Sequence, residues 1–375
     1  MKAVVLAGGF GTRLRPLSCT RPKHLFPIGN KPQLDWTIEK LAKSGTKEVI
    51  LAVNYMTDVY IQHYRKPKQK PKITFSRDIL TSGTHTRFQR PLGTGGPIKN
   101  AEKLIGRKEP FLVLNGDILT NIDYAELMKR HKTNNKATAT IALYRVEDSN
   151  RYGVAELAKD NRVLRFVEKP TREKAPSNLI NAGIYVLEPE IFDYIPSGRP
   201  VSIEREVFPK LAEEGKLYGY PFKGLWIDIG EPKDYLKANK LWLDQEIRKN
   251  QIEKNVRIED AVEIKTPSTI DNETTIGEKS EIGPYVTLGE HVTIGKGVHI
   301  ENSIIFPDAM ISDFTSIRGA IIGEAAMIGS WVKIGNRCLI GDHATIRDKV
   351  TLTRGVTVCP WKEVAESVLT PTCLM

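Results

Sequence analysis

Cysteine is scarce in this chain of 375 residues, which contains only four. They are Cys19, Cys338, Cys359 and Cys373, and no two of them stand at the spacing of a zinc site or of a Cys-x-x-Cys redox motif. This scarcity excludes a disulfide-rich secreted scaffold. It predicts reduced thiols and a cytoplasmic protein.

Long apolar runs are also missing. The run at the start of the chain, residues 3–7, is too short for the core of a signal peptide and far too short to span a bilayer. With 40% hydrophobic and 27% charged residues, the composition excludes the disordered, collagen-like and membrane classes. At roughly 150 residues per domain, the length predicts two to three domains.

The charge is unevenly distributed along the chain, whose net charge is +10. Residues 251–375 carry 12 basic and 17 acidic side chains, a net charge of −5, so residues 1–250 carry +15. The positive charge of residues 1–250 indicates either an anionic ligand or a generally basic solvated surface. Because the Lys and Arg residues are scattered and no nucleic-acid motif occurs, a phosphorylated small molecule fits better than nucleic acid.

The last third of the chain contains a six-residue repeat. Gly often follows the repeated aliphatic residue, and the repeat is interrupted by an irregular stretch with Pro307 and Gly319. The repeated positions are Ile276, Ile282, Leu288, Ile294, Ile300, Ile322, Ile328, Ile334, Ile340, Ile346, Leu352 and Val358. This periodicity is typical of a parallel β-helix, in which each aliphatic side chain stacks on its equivalent one turn away.

The front of the chain alternates predicted strands with predicted helices, which indicates an α/β fold with a mostly parallel, doubly wound sheet. Apolar runs predict strands at residues 2–7, 48–53 and 110–115. A helix predicted from residue 232 to about 249 links the sheet to the predicted β-helix, which is also called the coil below. The predicted domains are therefore residues 1–235, a linking helix at 236–255, and a β-helix at 256–375.

A glycine-rich turn follows the first predicted strand. It reads Gly8-Gly9-Phe10-Gly11-Thr12-Arg13-Leu14, and Pro22-Lys23 comes shortly after it. Glycines let backbone N–H groups approach phosphate oxygens, and Arg13 and Lys23 supply countercharge. The motif is neither the dinucleotide fingerprint nor the P-loop. A tight turn with two solvated cations is the alternative interpretation.

Two aspartates stand at the ends of predicted strands. Asp117 closes Asn115-Gly116-Asp117 after an apolar run, and Asp228 lies within Trp226-Ile227-Asp228-Ile229-Gly230. Together they would suit Mg²⁺-assisted phosphoryl or nucleotidyl transfer. The alternatives are ordinary turn chemistry for Asp117 and capping of the following helix for Asp228.

Two further motifs indicate a phosphorylated polyol. In Phe166-Val167-Glu168-Lys169-Pro170, Lys169 would bind phosphate as a point charge and Glu168 would hydrogen-bond hydroxyls, unless the two form only an exposed ion pair. Asn181, in Asn181-Ala182-Gly183, would supply an amide to sugar hydroxyls.

In combination these motifs resemble the sugar nucleotidyltransferases, across essentially the whole chain. The segments that carry the resemblance are Gly8 to Leu14, Pro22-Lys23, Leu92-Gly93-Thr94-Gly95-Gly96, Asn115-Gly116-Asp117, Val167-Glu168-Lys169-Pro170, Asn181-Ala182-Gly183 and Trp226-Ile227-Asp228-Ile229-Gly230. The family implies a Rossmann-like nucleotidyltransferase domain followed by a left-handed β-helix. Segments 202–209, 226–235 and 358–375 look most like the branch that makes GDP-mannose from GTP and mannose 1-phosphate.

The family also implies a reaction and its residues. A sugar 1-phosphate would attack the α-phosphate of a nucleoside triphosphate in line, with Mg²⁺ as cofactor, and pyrophosphate would leave. The implied catalytic residues are Arg13 and Lys23 on the triphosphate, Asp117 and Asp228 on the metal, and Lys169 on the sugar phosphate. The implied nucleotide-binding residues are Leu6, Ala7, Gly8, Gly9, Gly11, Thr12, Arg13, Lys23, Gly93 and Thr94. The implied sugar-phosphate-binding residues are Gly153, Glu168, Lys169, Asn181 and Gly183.

The sequence departs from the family pattern near the expected base site. Arg90 stands where an acidic residue is usual, and Gly95-Gly96 replaces the commoner Ala-Gly. These departures leave glucose-1-phosphate thymidylyl or uridylyl transfer as an alternative. Residues 79–90, with Ser82, Gly83 and Thr84, are predicted to form a mobile loop over substrate.

Two other functions fit the same architecture. A non-catalytic regulatory or exchange-factor-like subunit would be expected to lack part of the Arg, Lys and Asp set, which is complete here. An acetyltransferase coil would use a His as general base, and His291, His299 and His343 lie in the coil region. We expect instead that the coil mediates homo-oligomer assembly, and we expect neither a nucleic-acid nor a membrane partner.

Overall fold

The computed structural model describes residues 1–65, 70–77, 91–134 and 136–375. They form two compact units: Met1–Gly9 with Leu34–Asp228, and Phe10–Gln33 with Ile229–Met375. The domain boundaries given above stay predictions. The structure adds that residues 10–33 group with the later part of the chain.

A nine-stranded mixed sheet forms the centre of the first unit. The strands of this unit are β1 Lys2–Leu6, β2 Glu48–Val53, β3 Lys72–Arg77, β4 Phe111–Asn115, β5 Ile118–Thr120, β6 Ala139–Arg145, β7 Gly153–Leu157, β8 Val163–Glu168, β9 Leu179–Leu187, β10 Leu217–Pro221 and β11 Trp226–Asp228. The order in the nine-stranded sheet is β8-β7-β9-β4-β1-β2-β3, with β6 beside β9 and β10 beside β6, while β5 and β11 form a separate pair.

The inner strands β3, β2, β1 and β4 are parallel, and β9 runs antiparallel to β4. Buried apolar runs make up β1, β2 and β4, as expected for parallel strands that are covered on both faces. The prediction of a Rossmann-like, mixed and mostly parallel sheet is confirmed. In the order of the chain, the helices are α1 Gln33–Lys43, α2 Thr57–Tyr64, α3 Gly95–Asn100, α4 Glu102–Ile105, α5 Tyr124–Lys132, α6 Ile191–Tyr194, α7 Phe208–Glu213 and α8 Pro232–Trp242.

Short helical turns complete the described secondary structure. The 3₁₀ turns are Thr12–Leu14, Leu17–Cys19, Lys23–Leu25 and Arg172–Lys174, and the π-helical turns are Ile203–Val207 and Leu243–Ile247. A two-stranded hairpin pairs Pro27–Ile28 with Lys31–Pro32. Within the described part of the chain, no helix is both long and apolar enough to cross a bilayer.

The second unit contains a coil of short parallel strands stacked into three sheets. The eight-stranded sheet contains Gln251–Ile252, Ser268–Ile270, Val286–Leu288, Ile304–Ile305, Ile321–Ile322, Leu339–Ile340, Thr357–Val358 and Cys373–Leu374. The seven-stranded sheet contains Arg257–Ile258, Thr275–Ile276, Thr293–Ile294, Met310–Ile311, Met327–Ile328, Thr345–Ile346 and Glu363–Val364. The six-stranded sheet contains Glu263–Ile264, Glu281–Ile282, His299–Glu301, Ser316–Arg318, Lys333–Ile334 and Thr351–Leu352. This arrangement confirms the predicted parallel β-helix.

The irregular stretch of the repeat does not interrupt the coil. Ile305, Ile311 and Ile317 are buried in the same core as the regular positions. The repeat continues through this stretch with two five-residue steps, from Ile300 to Ile305 and from Ile317 to Ile322. Two turns of the coil are therefore one residue shorter than the others, and the aliphatic stack is unbroken.

Candidate functional site

The candidate residues of the first unit lie at one edge of its sheet, where β1 and β4 end. Leu6 is the register partner of Asn115, and the Gly116 N–H donates to the Leu6 carbonyl at 2.9 Å. The Gly8-Gly9 turn and the Gly116-Asp117 turn therefore leave the sheet side by side. This is the edge at which open α/β sheets bind ligands.

The two aspartates are brought together by strand pairing. In the antiparallel pair of β5 and β11, Asp228 is the register partner of Ile118, the residue directly after Asp117. Both aspartates are half-buried. Asp117 also lies near Tyr60. Burial raises the pKa of the Tyr60 hydroxyl, and the charge of the Asp117 carboxylate raises it further. The N-cap of α8 is Glu231, three residues after Asp228.

Asn115 adds a buried oxygen beside this pair. Its Oδ1 atom is buried and has no hydrogen-bond partner among the described residues. Gly183 packs against the same amide: its φ of 71° favours glycine, and a Cβ there would lie 2.6 Å from Asn115 Nδ2. An unpaired buried oxygen is costly, so the site is built to receive a further polar group.

The donor set at this edge fits a magnesium ion. Magnesium is commonly held by one or two carboxylates together with water and substrate phosphates, so Asp117 and Asp228 are sufficient protein ligands. Within the described residues there is no cluster of three or more His, Cys, Asp or Glu side chains at metal-binding distance. Asp117 and Asp228 are therefore the side chains at this edge that could hold a metal together with a phosphate ligand.

Glu168 and Lys169 stand at the end of β8. Gly153 is the register partner of Glu168, and a Cβ at Gly153 would lie 2.7 Å from Glu168 Oε2. Lys169 has a left-handed backbone with φ of 50°, and its N–H donates to the Tyr152 carbonyl at 3.0 Å. Its Nζ atom is 3.9 Å from the Glu168 carboxylate, and its side chain is 57% exposed. The ammonium group is thus accessible to a ligand.

Sequence reasoning missed a buried carboxylate, Glu204, that connects the nucleotide and sugar candidates. The Thr94 hydroxyl donates to Glu204 Oε2 at 2.5 Å, and the Ser202 hydroxyl donates to the same atom at 2.8 Å. Asn181 Nδ2 donates to the Tyr185 hydroxyl at 3.0 Å, and that hydroxyl donates to Glu204 Oε1 at 3.5 Å. The Ser-x-Glu spacing at 202–204, within a segment already noted for its resemblance, is the signal that would have found it.

Glu204 also acts on Glu168. Burial raises the pKa of the Glu168 carboxyl, and the nearby Glu204 charge raises it further.

Gly93 lies in the turn before α3, where its backbone passes close to Val201. A Cβ at its φ of 72° would lie 2.3 Å from the Val201 carbonyl oxygen. The Gly95 N–H donates to that same carbonyl at 2.8 Å.

The second unit holds the remaining candidates. Gly11, with φ of 63°, is the N-cap of the 3₁₀ turn that contains Thr12 and Arg13. A Cβ at Gly11 would lie 3.5 Å from the Cβ of Lys23, so the glycine turn and Lys23 are neighbours. The Arg13 guanidinium is 3.8 Å from Glu231, with 63% of the Arg13 side chain exposed.

Two predicted features lie outside the described residues. They are the loop at 79–90, with Ser82, Gly83 and Thr84, and the departure from the family pattern at Arg90. Gly95 and Gly96 are described, and they begin α3.

Comparison with known proteins gives matches to both parts of the chain. Residues 2–245 match the nucleotidyl transferase family model, and residues 264–374 match the model of the GMPPB C-terminal domain. The mannose-1-phosphate guanyltransferase of Yarrowia lipolytica is 42% identical over 252 residues, which is 67% of this chain and 66% of the relative. The Saccharomyces cerevisiae protein of the same name is 39% identical over 257 residues, 68% of each chain. The alignments thus span about two thirds of the length of these relatives.

Solved structures give a similar result. HddC from Yersinia pseudotuberculosis aligns with a TM-score of 0.52 and 32% identity, covering 64% of this chain and 99% of that one. A putative glucose-1-phosphate thymidylyltransferase from Bacillus anthracis aligns with a TM-score of 0.55 and 25% identity, covering 64% and 94%. The resemblance inferred from the motifs is thereby confirmed, and the chain belongs to the nucleotidyl transferase family.

Proposed function

We propose that this chain is a sugar-1-phosphate nucleotidyltransferase that makes GDP-mannose and pyrophosphate from mannose 1-phosphate and GTP. The observation that carries the proposal is a strand pairing that sets Asp228 opposite Ile118, the residue directly after Asp117. It lies at the sheet edge where the glycine-rich turn begins. The relatives named above support the choice of guanine and mannose. The four cysteines, all free thiols, support a cytoplasmic location.

The reaction needs no nucleophile from the protein. A phosphate oxygen of mannose 1-phosphate attacks the α-phosphorus of GTP, a new P–O bond forms, and the bond to the β-phosphate oxygen breaks to release pyrophosphate. The protein positions the reactants and neutralises charge. A Mg²⁺ ion held by Asp117 and Asp228 would supply Lewis-acid neutralisation of the phosphate charge.

Each candidate residue has a role in this scheme. Arg13 and Lys23 offset charge on the departing pyrophosphate, and Lys169 orients the attacking phosphate. Glu168 and Asn181 accept from or donate to the sugar hydroxyls. The residues assigned to the nucleotide, besides Arg13 and Lys23, are Leu6, Ala7, Gly8, Gly9, Gly11, Thr12, Gly93 and Thr94, while Gly153 and Gly183 leave space for the sugar.

Pyrophosphate release with Mg²⁺ tests the proposal, with GTP, dTTP, UTP, CTP and ATP each crossed against mannose 1-phosphate and glucose 1-phosphate. A maximum for GTP with mannose 1-phosphate is expected. A maximum for dTTP or UTP with glucose 1-phosphate would replace the guanylyltransferase assignment by the thymidylyl or uridylyl alternative. If folded protein released no pyrophosphate in any combination, the result would favour a non-catalytic subunit.

The Glu204 network predicts a pH effect. Glu168 serves as a carboxylate acceptor, so turnover falls when the pH drops through its raised pKa. Glu204→Gln removes the neighbouring charge and lowers that pKa. We therefore expect the acid limb of kcat/KM for mannose 1-phosphate to move to lower pH. Ser202→Ala, which removes one hydrogen bond to Glu204 and keeps its charge, is the matched control. Coincident acid limbs for the wild type and the Glu204 variant would refute this prediction.

We also propose that the enzyme is a homo-oligomer assembled through its coil. Four exposed apolar side chains lie on neighbouring turns: Met310, Phe314, Met327 and Trp331 are 52%, 41%, 50% and 57% exposed. The rings of Phe314 and Trp331 stack at 4.5 Å, and the two methionines are register partners. A contiguous apolar surface of this kind suits contact with a second copy of the chain.

Trp331→Glu is expected to lower the molar mass measured by light scattering toward that of the 42.1 kDa monomer, since it puts a charge into the apolar contact. Trp361→Glu is the control, because Trp361 is 69% exposed at a different corner of the coil. Equal masses for the wild type and the Trp331 variant would contradict this interface.

A further inference from the structure

Residues 10–33, called the phosphate segment below, pack within the same compact unit as the coil. They carry Gly11, Thr12, Arg13 and Lys23, which the proposed function assigns to the triphosphate. Leu14, Leu17 and Phe26 of this segment are fully buried. The conformation of the segment therefore depends on what it packs against.

A buried charged cluster joins the phosphate segment to the coil. The Arg21 guanidinium pairs with the Glu324 carboxylate and lies 4.9 Å from the centre of the Phe306 ring. The Thr20 hydroxyl donates to Asp342 Oδ2 at 2.6 Å. Only 19% of the Arg21 side chain and 3% of Asp342 are exposed. Arg21 is two residues before Lys23, so in the sequence this cluster is next to a residue predicted to bind the triphosphate.

Asp342 serves the coil and the phosphate segment at once. Its Oδ1 atom accepts from the Glu324 N–H at 2.8 Å, and its Oδ2 atom accepts from Thr20. Asp348 makes the same coil contact one strand later, since its Oδ1 atom accepts from the Ser330 N–H at 2.8 Å. Among the described residues, Asp348 has no hydrogen bond or ion pair with the phosphate segment.

Burial raises the pKa of the Asp342 carboxyl, while Thr20 and Arg21 oppose that rise. A buried charge is tolerated when it is paired and hydrogen-bonded, and removing one partner leaves the other uncompensated. We therefore expect that removing any one of the four side chains, those of Thr20, Arg21, Glu324 and Asp342, destabilises the other three. The cluster links two parts of the chain that are some 300 residues apart.

Two residues one turn apart within α8, Tyr235 and Asn239, also bind the phosphate segment. The Tyr235 hydroxyl donates to the Pro27 carbonyl at 2.6 Å. Asn239 Oδ1 accepts from the Gly29 N–H at 3.0 Å and from the Thr287 hydroxyl of the coil at 3.1 Å. Arg13 itself lines a cavity of about 400 Å³ together with Leu339 of the coil. The segment is thus held at its middle, by Thr20 and Arg21, and towards its end, by Pro27 and Gly29.

We propose that the coil holds the phosphate segment in its working conformation, with Arg21 and Asp342 as positioning residues for the transfer reaction. This inference rests on the proposed function, because the segment matters for catalysis only if it binds the triphosphate. Misplacement of a binding group by about 1 Å can cost roughly 100-fold in rate. The coil is therefore part of the active unit as well as a surface for assembly.

The test compares Asp342→Ala with Asp348→Ala in the full-length chain. Both variants lose a hydrogen bond at a corner of the coil, but only Asp342→Ala also removes the acceptor of the Thr20 hydroxyl and a negative charge that interacts with Arg21. We expect Asp342→Ala to raise the KM for GTP and to lower kcat/KM for GTP about 10–100-fold. The KM for mannose 1-phosphate should stay near that of the wild type, and Asp348→Ala should resemble the wild type in every parameter.

Three further variants keep the test decisive if Asp342→Ala folds poorly. Thr20→Val removes one hydroxyl without changing volume and should show the same KM pattern more weakly. Arg21→Lys, which keeps the charge, should retain more activity than Arg21→Met. Equal effects of the Asp342 and Asp348 variants, or an unchanged KM for GTP in all the phosphate-segment variants, would overturn the proposal.

Amide hydrogen exchange provides a readout that needs no turnover. Exchange at residues 10–33 should quicken in Asp342→Ala and stay as in the wild type in Asp348→Ala. If the wild type turned over no substrate, the proposed function would fail, while this exchange contrast would still decide whether the coil holds the segment. Unchanged exchange in Asp342→Ala would refute the anchoring itself.

Discussion

Asp228→Asn is expected to lower kcat on the order of 100- to 1000-fold, the usual loss when one oriented charge-stabilising group is removed. In the proposed scheme this carboxylate holds Mg²⁺ together with Asp117, and an amide has no charge to hold the ion. The fold should survive, because β11 is held to β5 by backbone pairing and by the buried side chains of Ile227 and Leu119. The measurement is steady-state pyrophosphate release over a range of Mg²⁺ concentrations.

A matched substitution separates the site from a general charge effect. Asp160 is exposed in a turn, and its carboxylate accepts from the Arg162 N–H at 3.1 Å, a bond that an asparagine oxygen can also accept. Asp160→Asn should therefore keep wild-type turnover. If Asp228→Asn retained wild-type kcat at every Mg²⁺ concentration, Asp228 would not be a metal ligand and the two-carboxylate site would have to be abandoned.

The coil was predictable because its information is local. Each aliphatic residue stacks on the equivalent residue of the next turn, so a constant spacing in the sequence reports the fold directly. The stretch from Ile300 to Ile322 escaped this reasoning, since two corners are shortened by one residue. Asn302 and Gly319 take left-handed backbone conformations there, with φ of 47° and 58°. A search for constant spacing does not register such a step.

The candidate site was predictable only where it coincides with strand ends. Asp117 lies two residues after the end of β4 and Asp228 ends β11, so the rule that ligands bind beyond strand ends was enough to select them as candidates. Glu204 lies 110 residues from Thr94, its hydrogen-bond partner. The Ser-x-Glu spacing at 202–204 could draw attention to this residue, but it does not show that the carboxylate reaches the turn before α3.

The association of residues 10–33 with the coil was hidden for the same reason. A glycine-rich turn directly after β1 indicates by its position that it belongs with the sheet. Its partners Glu324 and Asp342 are some 300 residues away, on coil corners that look like any others in the repeat. Only the three-dimensional contacts show that the half-buried Arg21 pairs with Glu324 and that Thr20 bonds to Asp342.

Lys169→Met is expected to weaken the use of the sugar phosphate while sparing the nucleotide. The ammonium group is exposed at the end of β8 and is held next to Glu168, where it meets the phosphate of mannose 1-phosphate in the proposed scheme. Methionine keeps the length and the backbone preference of lysine, which matters because residue 169 has a φ of 50°. We expect kcat/KM for mannose 1-phosphate to fall roughly 100- to 1000-fold, with the KM for GTP little changed.

The change in KM distinguishes this role from damage to the fold or to the metal site. A general loss of structure would lower turnover with both substrates, whereas loss of a phosphate contact raises the KM of one substrate selectively. Lys159→Met, at an exposed turn after β7, is the control for removal of a surface charge. An equal rise in both KM values would mean that Lys169 does not bind the sugar phosphate. A selective rise would place the attacking phosphate at the end of β8, beside the Gly153, Glu168 and Asn181 group.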